Sequence, residues 1–207
     1  MKRGPDRGYF PEPANSLFIS VTPGQEAGTK RAFTAEGIVL NFVSGHIYLG
    51  AYLGPQAELE AWVKPQVEAW AHGVKVLAKI TRRQPQSAYA GLGMSLQLEW
   101  QYLQRTISGV GTLMGPIEEA LREKLFPSLF GGEEIDTDFR KILGHGVKHG
   151  GLGIPDQRLS AESAYNPSKA AIRELVDNLL GGSFLNYVGH RACVRKAIQS
   201  VRLIKRD

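Results

Sequence analysis

The apolar residues after Gly54 recur at helical spacing, and this pattern constrains the fold more than any other feature of the sequence. The clearest run is Leu59, Trp62, Val63, Val67, Trp70, Val74, Leu77 and Ala78. Residues three or four positions apart share one face of an α-helix, so the run predicts a long amphipathic helix that begins at Pro55. Because Pro65 lacks a backbone N–H, we expect it to kink that helix or to split it in two.

The rest of the C-terminal part predicts further helices that are separated by glycine-containing breaks. They cover about 87–107, 117–126, 161–180 and 184–205. The segment 131–156 is rich in glycine and acidic residues, so we expect a connection with at most short structure. Glu118 lies at a helix start, where a solvated role or an interaction with the helix dipole suffices.

The segment before Gly54 contains the short apolar runs of β-strands. Residues 17–21 predict a strand, and residues 25–36 predict a short helix. The runs 38–43 and 46–53, separated by Ser44 and Gly45, predict a β-hairpin. The sequence therefore predicts an α+β fold that is mostly α-helical. We expect a small β/α remnant at 1–54, with too few strands to be stable alone, to pack with a helical domain at 55–207.

Composition excludes several classes of protein. A chain of 207 residues that is 43% hydrophobic and 22% charged is long enough for one or two globular domains. The single cysteine, Cys193, excludes an internal disulfide framework and a zinc–thiolate cluster. It suits an intracellular compartment, either nucleus or cytoplasm. The apolar runs are too short to span a bilayer, so we expect no membrane partner.

Positive charge is concentrated near the C-terminus. Residues 183–207 contain six basic residues and one acidic residue, so their net charge of +5 equals that of the whole chain. On a helix, four of these residues fall within a narrow arc: Arg191, Arg195, Arg202 and Arg206. A second basic cluster consists of Lys75, Lys79, Arg82 and Arg83. Both patterns predict phosphate-contacting surfaces, and solvated helix faces explain them equally well.

Two patterns suggest enzymatic or metal sites, and the surrounding sequence argues against each. Tyr165 and Lys169 have the spacing of the proton-donor pair of short-chain dehydrogenases, but the chain lacks the Gly-rich turn and alternating strands of a dinucleotide fold. His145 and His149 have the spacing of two metal ligands on a helix, but the neighbouring glycines disfavour a helix and no third ligand is evident. We expect no metal site here.

Several short motifs follow one another between Gly8 and about Leu180. They are Gly8-Tyr9 with Asn15 to Ile19, Tyr48 to Gly54, Trp62, Trp70, Pro85 to Leu92, Glu99-Trp100 and Gly150 to Ile154. Together they resemble the downstream part of a reverse transcriptase of a non-long-terminal-repeat retroelement. The resemblance is to the end of the palm and the helical thumb, so the chain looks like the tail of a larger fold whose earlier strands are missing. Asn15 stands where that family usually has a lysine.

The resemblance implies a role in binding a template–primer duplex of RNA and DNA. The residues that resemble the primer-gripping arm are Tyr48, Leu49, Gly50 and Tyr52. An intact polymerase of this family holds two Mg²⁺ ions through paired aspartates, and this sequence contains no Asp-Asp pair. We therefore expect no catalytic residue, no cofactor and no polymerase activity in the isolated chain. The upstream polymerase part of a longer polyprotein is an expected partner.

Two alternatives remain open at the sequence level, and the more distant of them is a short-chain dehydrogenase-like enzyme that uses Tyr165 and Lys169. A helical scaffold or protein-interaction domain, without any nucleic-acid role, would carry the same basic residues as solvated helix faces.

Overall fold

The computed structural model describes residues 16–20 and 24–204, with side chains up to Val201. The palm-like motif between Gly8 and Asn15 and the predicted site residue Arg206 lie outside this range. The chain divides into two compact units between Trp62 and Val63. The sequence predicts a domain boundary after Gly54, whereas this division falls within a helix.

The first unit contains a small parallel sheet. Strand β1 (Leu17–Ile19) pairs with β2 (Asn41–Val43), and helix α1 (Glu26–Ala35) forms the crossover between them. The ring of Phe18 lies 4.9 Å from Phe42 and 6.4 Å from Phe33, measured between centroids, so aromatic contacts bind the helix to the sheet. The predicted strand and short helix before Gly37 are therefore present.

The predicted hairpin around Ser44 and Gly45 is wrong. β2 pairs with β1 instead, and the second apolar run folds back on itself as β3 (His46–Tyr48) and β4 (Ala51–Leu53), in antiparallel register. Its turn is made by Leu49 and Gly50, with φ values of 49° and 79°. Two consecutive residues with positive φ form the turn whose twist suits a two-residue hairpin. Because Leu49 is apolar, the sequence gives no turn signal at this position.

Helix α2 (Gln56–Thr81) continues through Pro65, so the expected split into two helices does not occur. Pro65 and Ala61 both lie on the exposed side of the helix. Since the proline removes the donor that would bond to the carbonyl of Ala61, an exposed position lets solvent satisfy that carbonyl. The helix therefore tolerates the proline.

The second unit is helical. Its further helices are α3 (Pro85–Gly91), α4 (Gln97–Thr106), α5 (Gly115–Ala120), α6 (Phe126–Leu129), α7 (Thr137–Gly144), α8 (Gln157–Leu180) and α9 (Tyr187–Ile204). One π-helical turn, Leu92–Leu96, joins α3 to α4, and another, Leu121–Leu125, joins α5 to α6. Short 3₁₀ turns occupy Val110–Leu113 and Val147–His149. The mostly helical α+β class that the sequence predicts is confirmed.

The core of this unit lies between α2, α4, α5 and the π-helical turns. Its fully buried large side chains include Leu92, Trp100, Met114, Ile117, Leu121, Leu125 and Phe126. Trp70 meets Trp100 edge-to-face at 6.4 Å, and its Nε1 donates a 2.7 Å hydrogen bond to Oε2 of Glu99. Trp70, which the sequence places on the apolar face of α2, therefore lies in the core.

A buried ion pair connects α5, α7 and the start of α8. Nε and Nη2 of Arg140 donate to the two carboxylate oxygens of Glu118 at 2.6 and 2.8 Å, and Nη1 donates to the carbonyl of Ile154 at 2.8 Å. Oε2 of Glu118 also accepts from the backbone N–H of Gln157 at 3.3 Å. Glu118 is 4% exposed and Arg140 5%. Glu118 does lie in the first turn of α5, where it can interact with the helix dipole, but the expectation that it is solvated is wrong, because its partner lies in a segment that the sequence shows only as a connection.

Candidate nucleic-acid interface

The four residues of the α2 basic cluster are Lys75, Lys79, Arg82 and Arg83, and all four are exposed at the C-terminal end of α2. The opposite side of the same turns is buried, with Val74 0% and Ala78 6% exposed. This one-sided burial fixes the direction in which the basic side chains project. A cation near a helix C-terminus also interacts favourably with the helix dipole, so the cluster stabilises the end of α2 as well.

The α9 basic pair consists of Arg191 and Arg195, which are exposed and lie one helical turn apart. The guanidinium carbon of Arg191 lies 5.7 Å from the ring centroid of Tyr187. Ala197 is 7% exposed on the side that faces α8. Arg202 belongs to α9, but its side chain is not described, and Arg206 lies outside the described residues. The structure therefore places half of the predicted C-terminal stripe.

The two basic groups lie on different layers of the helical unit. The α2 helix packs on the α3–α4 segment, where Gly73 faces Leu96 and Gly91 faces Leu77. The α9 helix packs mainly on α8. The structure thus assigns the predicted basic residues to two helix surfaces rather than to one continuous stripe.

Within the described ranges, no carboxylate pairs with the side chains of either basic group. The ion pairs recorded there involve other cations: Arg140 with Glu118, Lys141 with Asp138, and Arg158 with Asp156. The hydrogen bond and charge of Lys141 lower the pKa of Asp138. Burial raises the pKa of Asp156, but the hydrogen bonds and charge of Arg158 outweigh that effect and lower it. These three cations are thus already paired with carboxylates, whereas, among the described residues, the side chains of the two basic groups are not, so their charges can attract a polyanion.

The arm that resembles a primer grip is the β3–β4 hairpin of the first unit. Tyr48 is 61% exposed and Leu49 78%. Tyr52 differs from both, because its hydroxyl and that of Ser44 donate hydrogen bonds to Oε2 of Glu58. The hydrogen bond to the Glu58 carboxylate raises the pKa of Tyr52. The arm therefore combines an anchored Tyr52 with two side chains, Tyr48 and Leu49, that are exposed to solvent.

A glycine makes this anchoring possible. A Cβ at Gly45 would overlap the hydroxyl oxygen of Tyr52 and lie 2.8 Å from the backbone carbonyl oxygen of Leu53, so this position needs glycine. The ring of Tyr52 also stacks on Trp62, with centroids 6.1 Å apart.

Sequence reasoning missed two apolar surface features of the α8–α9 helical hairpin. The first, which we name the hairpin tip, consists of exposed side chains around the α8–α9 turn: Leu179, Leu180, Phe184, Leu185, Tyr187 and Val188. Its available signal was the uncharged run from Asn178 to Gly189. The second is a groove of about 410 Å³ between α8 and α9, lined mainly by apolar side chains and by Arg105.

The other candidate sites lack the geometry for their chemistry. Tyr165 and Lys169 lie on α8, with the lysine Nζ 5.9 Å from the tyrosine ring centroid, and the described strands form two separate two-stranded sheets rather than a dinucleotide-binding sheet. His145 follows the end of α7, and His149 ends a 3₁₀ turn. Among the described residues, no group of three or more His, Cys, Asp or Glu side chains could hold a metal ion.

The glycine-rich loop after α7 uses its backbone N–H groups internally. Gly151, Gly153 and Ile154 donate to the carbonyls of Gly146, His145 and Leu143. A phosphate-binding loop needs such groups directed at its ligand, so this loop serves the fold. In the described part of the chain, no helix is both long enough and apolar enough to cross a bilayer.

Comparison of the chain with protein-family models, with curated proteins and with solved structures finds no match. The resemblance to reverse transcriptases is therefore carried by the sequence motifs alone.

Proposed function

We propose that this chain is a thumb-like fragment of the reverse-transcriptase lineage that binds a template–primer duplex without sequence preference. The observation that carries the proposal is the exposure of six basic side chains, without carboxylate partners in the described ranges: Lys75, Lys79, Arg82, Arg83, Arg191 and Arg195. Lysine and arginine that neutralise phosphates release condensed counterions, which supplies most of the free energy of sequence-independent binding.

The two groups suit contact with a backbone rather than with base edges. Lys75 and Lys79 lie one helical turn apart on α2, about 6 Å along its axis, and Arg82 and Arg83 follow directly after its last residue. A row of flexible cations can follow phosphates without reading a sequence. Arg191 and Arg195 repeat the same spacing on α9.

On this proposal the chain holds and positions nucleic acid, and chemistry belongs to an intact polymerase. The paired aspartates and two Mg²⁺ ions of phosphoryl transfer would come from the upstream part of the polyprotein. The exposed Tyr48 and Leu49 of the β3–β4 arm would contact the primer end. The setting would be intracellular, which suits a chain with the single cysteine Cys193.

The experiment measures binding of the purified chain to a labelled RNA–DNA duplex by fluorescence anisotropy. The test variant replaces Lys75, Lys79, Arg82 and Arg83 by glutamine. The control variant removes the same number of charges by replacing the exposed lysines Lys124, Lys141, Lys148 and Lys169 by glutamine. The two variants have equal net charge, so they separate a local surface from general attraction.

We expect the α2 variant to bind at least tenfold more weakly than the control variant, at about 100 mM salt, since each phosphate contact contributes to affinity. Equal affinities of the two variants would contradict a binding surface on α2. No duplex binding by a folded wild-type chain would contradict the function itself and favour the helical scaffold.

A further inference from the structure

We propose that the two aromatic side chains of the hairpin tip, Phe184 and Tyr187, stack the bases of single-stranded nucleic acid, while the α9 basic pair holds the phosphates of the same strand. This inference rests on the proposed function, and it names a kind of nucleic acid that the basic groups alone do not specify.

The aromatic rings of the hairpin tip are open to solvent. Phe184 is 100% exposed and Tyr187 62%. An exposed aromatic ring offers a flat apolar face, and every base can stack on such a face whatever the sequence. The bases of a duplex are already stacked on one another, so only an unpaired strand gains from these rings.

The backbone around these rings is held by local hydrogen bonds. Oδ1 of Asn186 accepts from the backbone N–H of Gly189 at 3.0 Å, which caps the start of α9 just before Tyr187. On the other side, Oγ of Ser183 donates to Oδ1 of Asn178 at 2.9 Å. Gly182 has a φ of +62° and ends the turn after α8. The rings are therefore presented by a structured turn.

The two helices of the hairpin approach closely beneath the tip. A Cβ at Gly189 would lie 3.0 Å from the carboxylate carbon of Glu174, so any other residue here would require the Glu174 side chain to shift. Glu174 is half-buried there and also accepts a hydrogen bond from Nδ2 of Asn178. Asp177 is the other acid near the tip, on the exposed side of α8. Both acids belong to α8, so the strand would approach along α9.

The charge beside the rings has the sign that phosphates require. Residues 178–204 contain four charged residues, and all four are basic: Arg191, Arg195, Lys196 and Arg202. Arg191 lies 5.7 Å from the ring centroid of Tyr187, so a cation and a stacking face occur within one helical turn. Aromatic faces beside cations are the combination by which proteins bind single strands without sequence preference. The chemistry thus favours a polyanion that also carries flat rings.

The experiment compares two labelled probes on the full chain by fluorescence anisotropy. One is an oligothymidylate of about twelve nucleotides, within the range of known single-strand site sizes. The other is an abasic strand of the same length, which keeps every phosphate and lacks every base. Their difference isolates stacking from charge.

Two matched variants separate stacking from general apolar contact. The test variant combines Phe184→Ala with Tyr187→Ala, and the control combines Leu180→Ala with Val188→Ala. Leu180 is 84% exposed and Val188 78%, so both variants leave the core intact and both reduce the apolar tip. Only the test variant removes rings.

We expect the wild-type chain to prefer oligothymidylate over the abasic strand by about tenfold or more, and the test variant to lose that preference. The control variant keeps it. Equal binding of the two probes, or equal loss in both variants, would overturn the proposal. If the wild-type chain bound phosphatidylserine vesicles more strongly than oligothymidylate, and the control variant lost that binding, the result would overturn the proposal in favour of a lipid surface.

The same data distinguish this proposal from the function on which it rests. Binding of the duplex that survives in the test variant, without any preference for bases, would contradict the tip alone. Absence of binding to duplex, oligothymidylate and abasic strand by a folded chain would contradict the proposed function.

Discussion

The buried pair of Arg140 and Glu118 gives a sharp prediction about stability. Replacement of Arg140 by methionine keeps a long, unbranched side chain but removes the guanidinium, and it leaves the Glu118 carboxylate buried at 4% exposure. That carboxylate would lose both hydrogen bonds from the guanidinium and keep the 3.3 Å contact from the N–H of Gln157. The carbonyl of Ile154 would lose its 2.8 Å donor as well.

Removal of one partner from a buried ion pair costs about 3–5 kcal/mol, because the remaining charge is uncompensated. We therefore expect Arg140→Met to lower the free energy of unfolding by about this amount. A small domain has a total stability of about 5–15 kcal/mol, so the loss would shift the urea midpoint strongly.

The neighbouring residue provides a matched control. Lys141 pairs with Asp138 at 2.9 Å, but their side chains are 70% and 87% exposed. Exposed pairs contribute about 0–1 kcal/mol, so Lys141→Met would be nearly neutral. The double variant Glu118→Leu with Arg140→Met removes both charges, and we expect it to recover part of the loss.

The assay is urea unfolding followed by circular dichroism, for the wild-type chain and the three variants. Equal effects of Arg140→Met and Lys141→Met would refute the reasoning. A double variant less stable than Arg140→Met would show that packing, rather than the unpaired carboxylate, causes the loss.

Three further outcomes follow from the structure. Leu49→Asn relieves a side chain at a φ of 49°, and we expect about 0.5–1 kcal/mol of added stability in urea unfolding; a destabilised variant would contradict it. The lowered pKa of Asp156 makes the folded state more stable above the unfolded-state pKa of about 3.9, and this contribution is lost as pH falls through the lower folded pKa. Between about pH 6 and 2, the free energy of unfolding should therefore fall less steeply for Asp156→Asn than for the wild-type chain. Parallel pH curves for the two proteins would contradict this. Tyr48→Ala, at a side chain 61% exposed, should weaken binding of a duplex with a recessed primer end while leaving the urea midpoint unchanged; unaltered binding would contradict contact by the arm.

Periodicity was sufficient to predict most of the helical fold. The apolar run from Leu59 to Ala78 predicts α2, and the glycines at 181 and 182 predict the break between α8 and α9. Local patterns work here because each helix must direct one apolar side at the core. Of the two effects expected of Pro65, a kink or a split, the split does not occur, because a proline on the exposed side of a helix leaves the unpaired carbonyl to solvent.

Features that depend on distant partners could not be predicted from local patterns. The strand at Asn41–Val43 was predicted to form a hairpin with the run that follows it, but it pairs instead with β1, which precedes it by a whole helix. Likewise, Glu118 and Arg140 are 22 residues apart, and neither residue shows alone that it is buried. Burial of a charge is decided by the partner that tertiary structure supplies.

The candidate site was predictable only in part. The basic residues of α2 were visible as charges at helical spacing, and their exposure follows from the burial of Val74 and Ala78 on the opposite side. The separation of the α2 cluster from the α9 pair depends on the order in which the helices pack, which charge patterns do not contain. The hairpin tip was overlooked because a run of apolar residues ordinarily indicates a core.

The most direct test of the proposed function is the salt dependence of duplex binding by the wild-type chain and by the variant with glutamine at Lys75, Lys79, Arg82 and Arg83. The logarithm of the association constant falls with the logarithm of salt concentration by about 0.9 for each phosphate neutralised on B-form DNA. If most of the six exposed cations contact phosphates, we expect a slope of about −3 to −5 for the wild-type chain. The four substitutions should make the slope less negative by about 3. A slope that is flat in the wild-type chain, or unchanged by the four substitutions, would contradict binding through these residues.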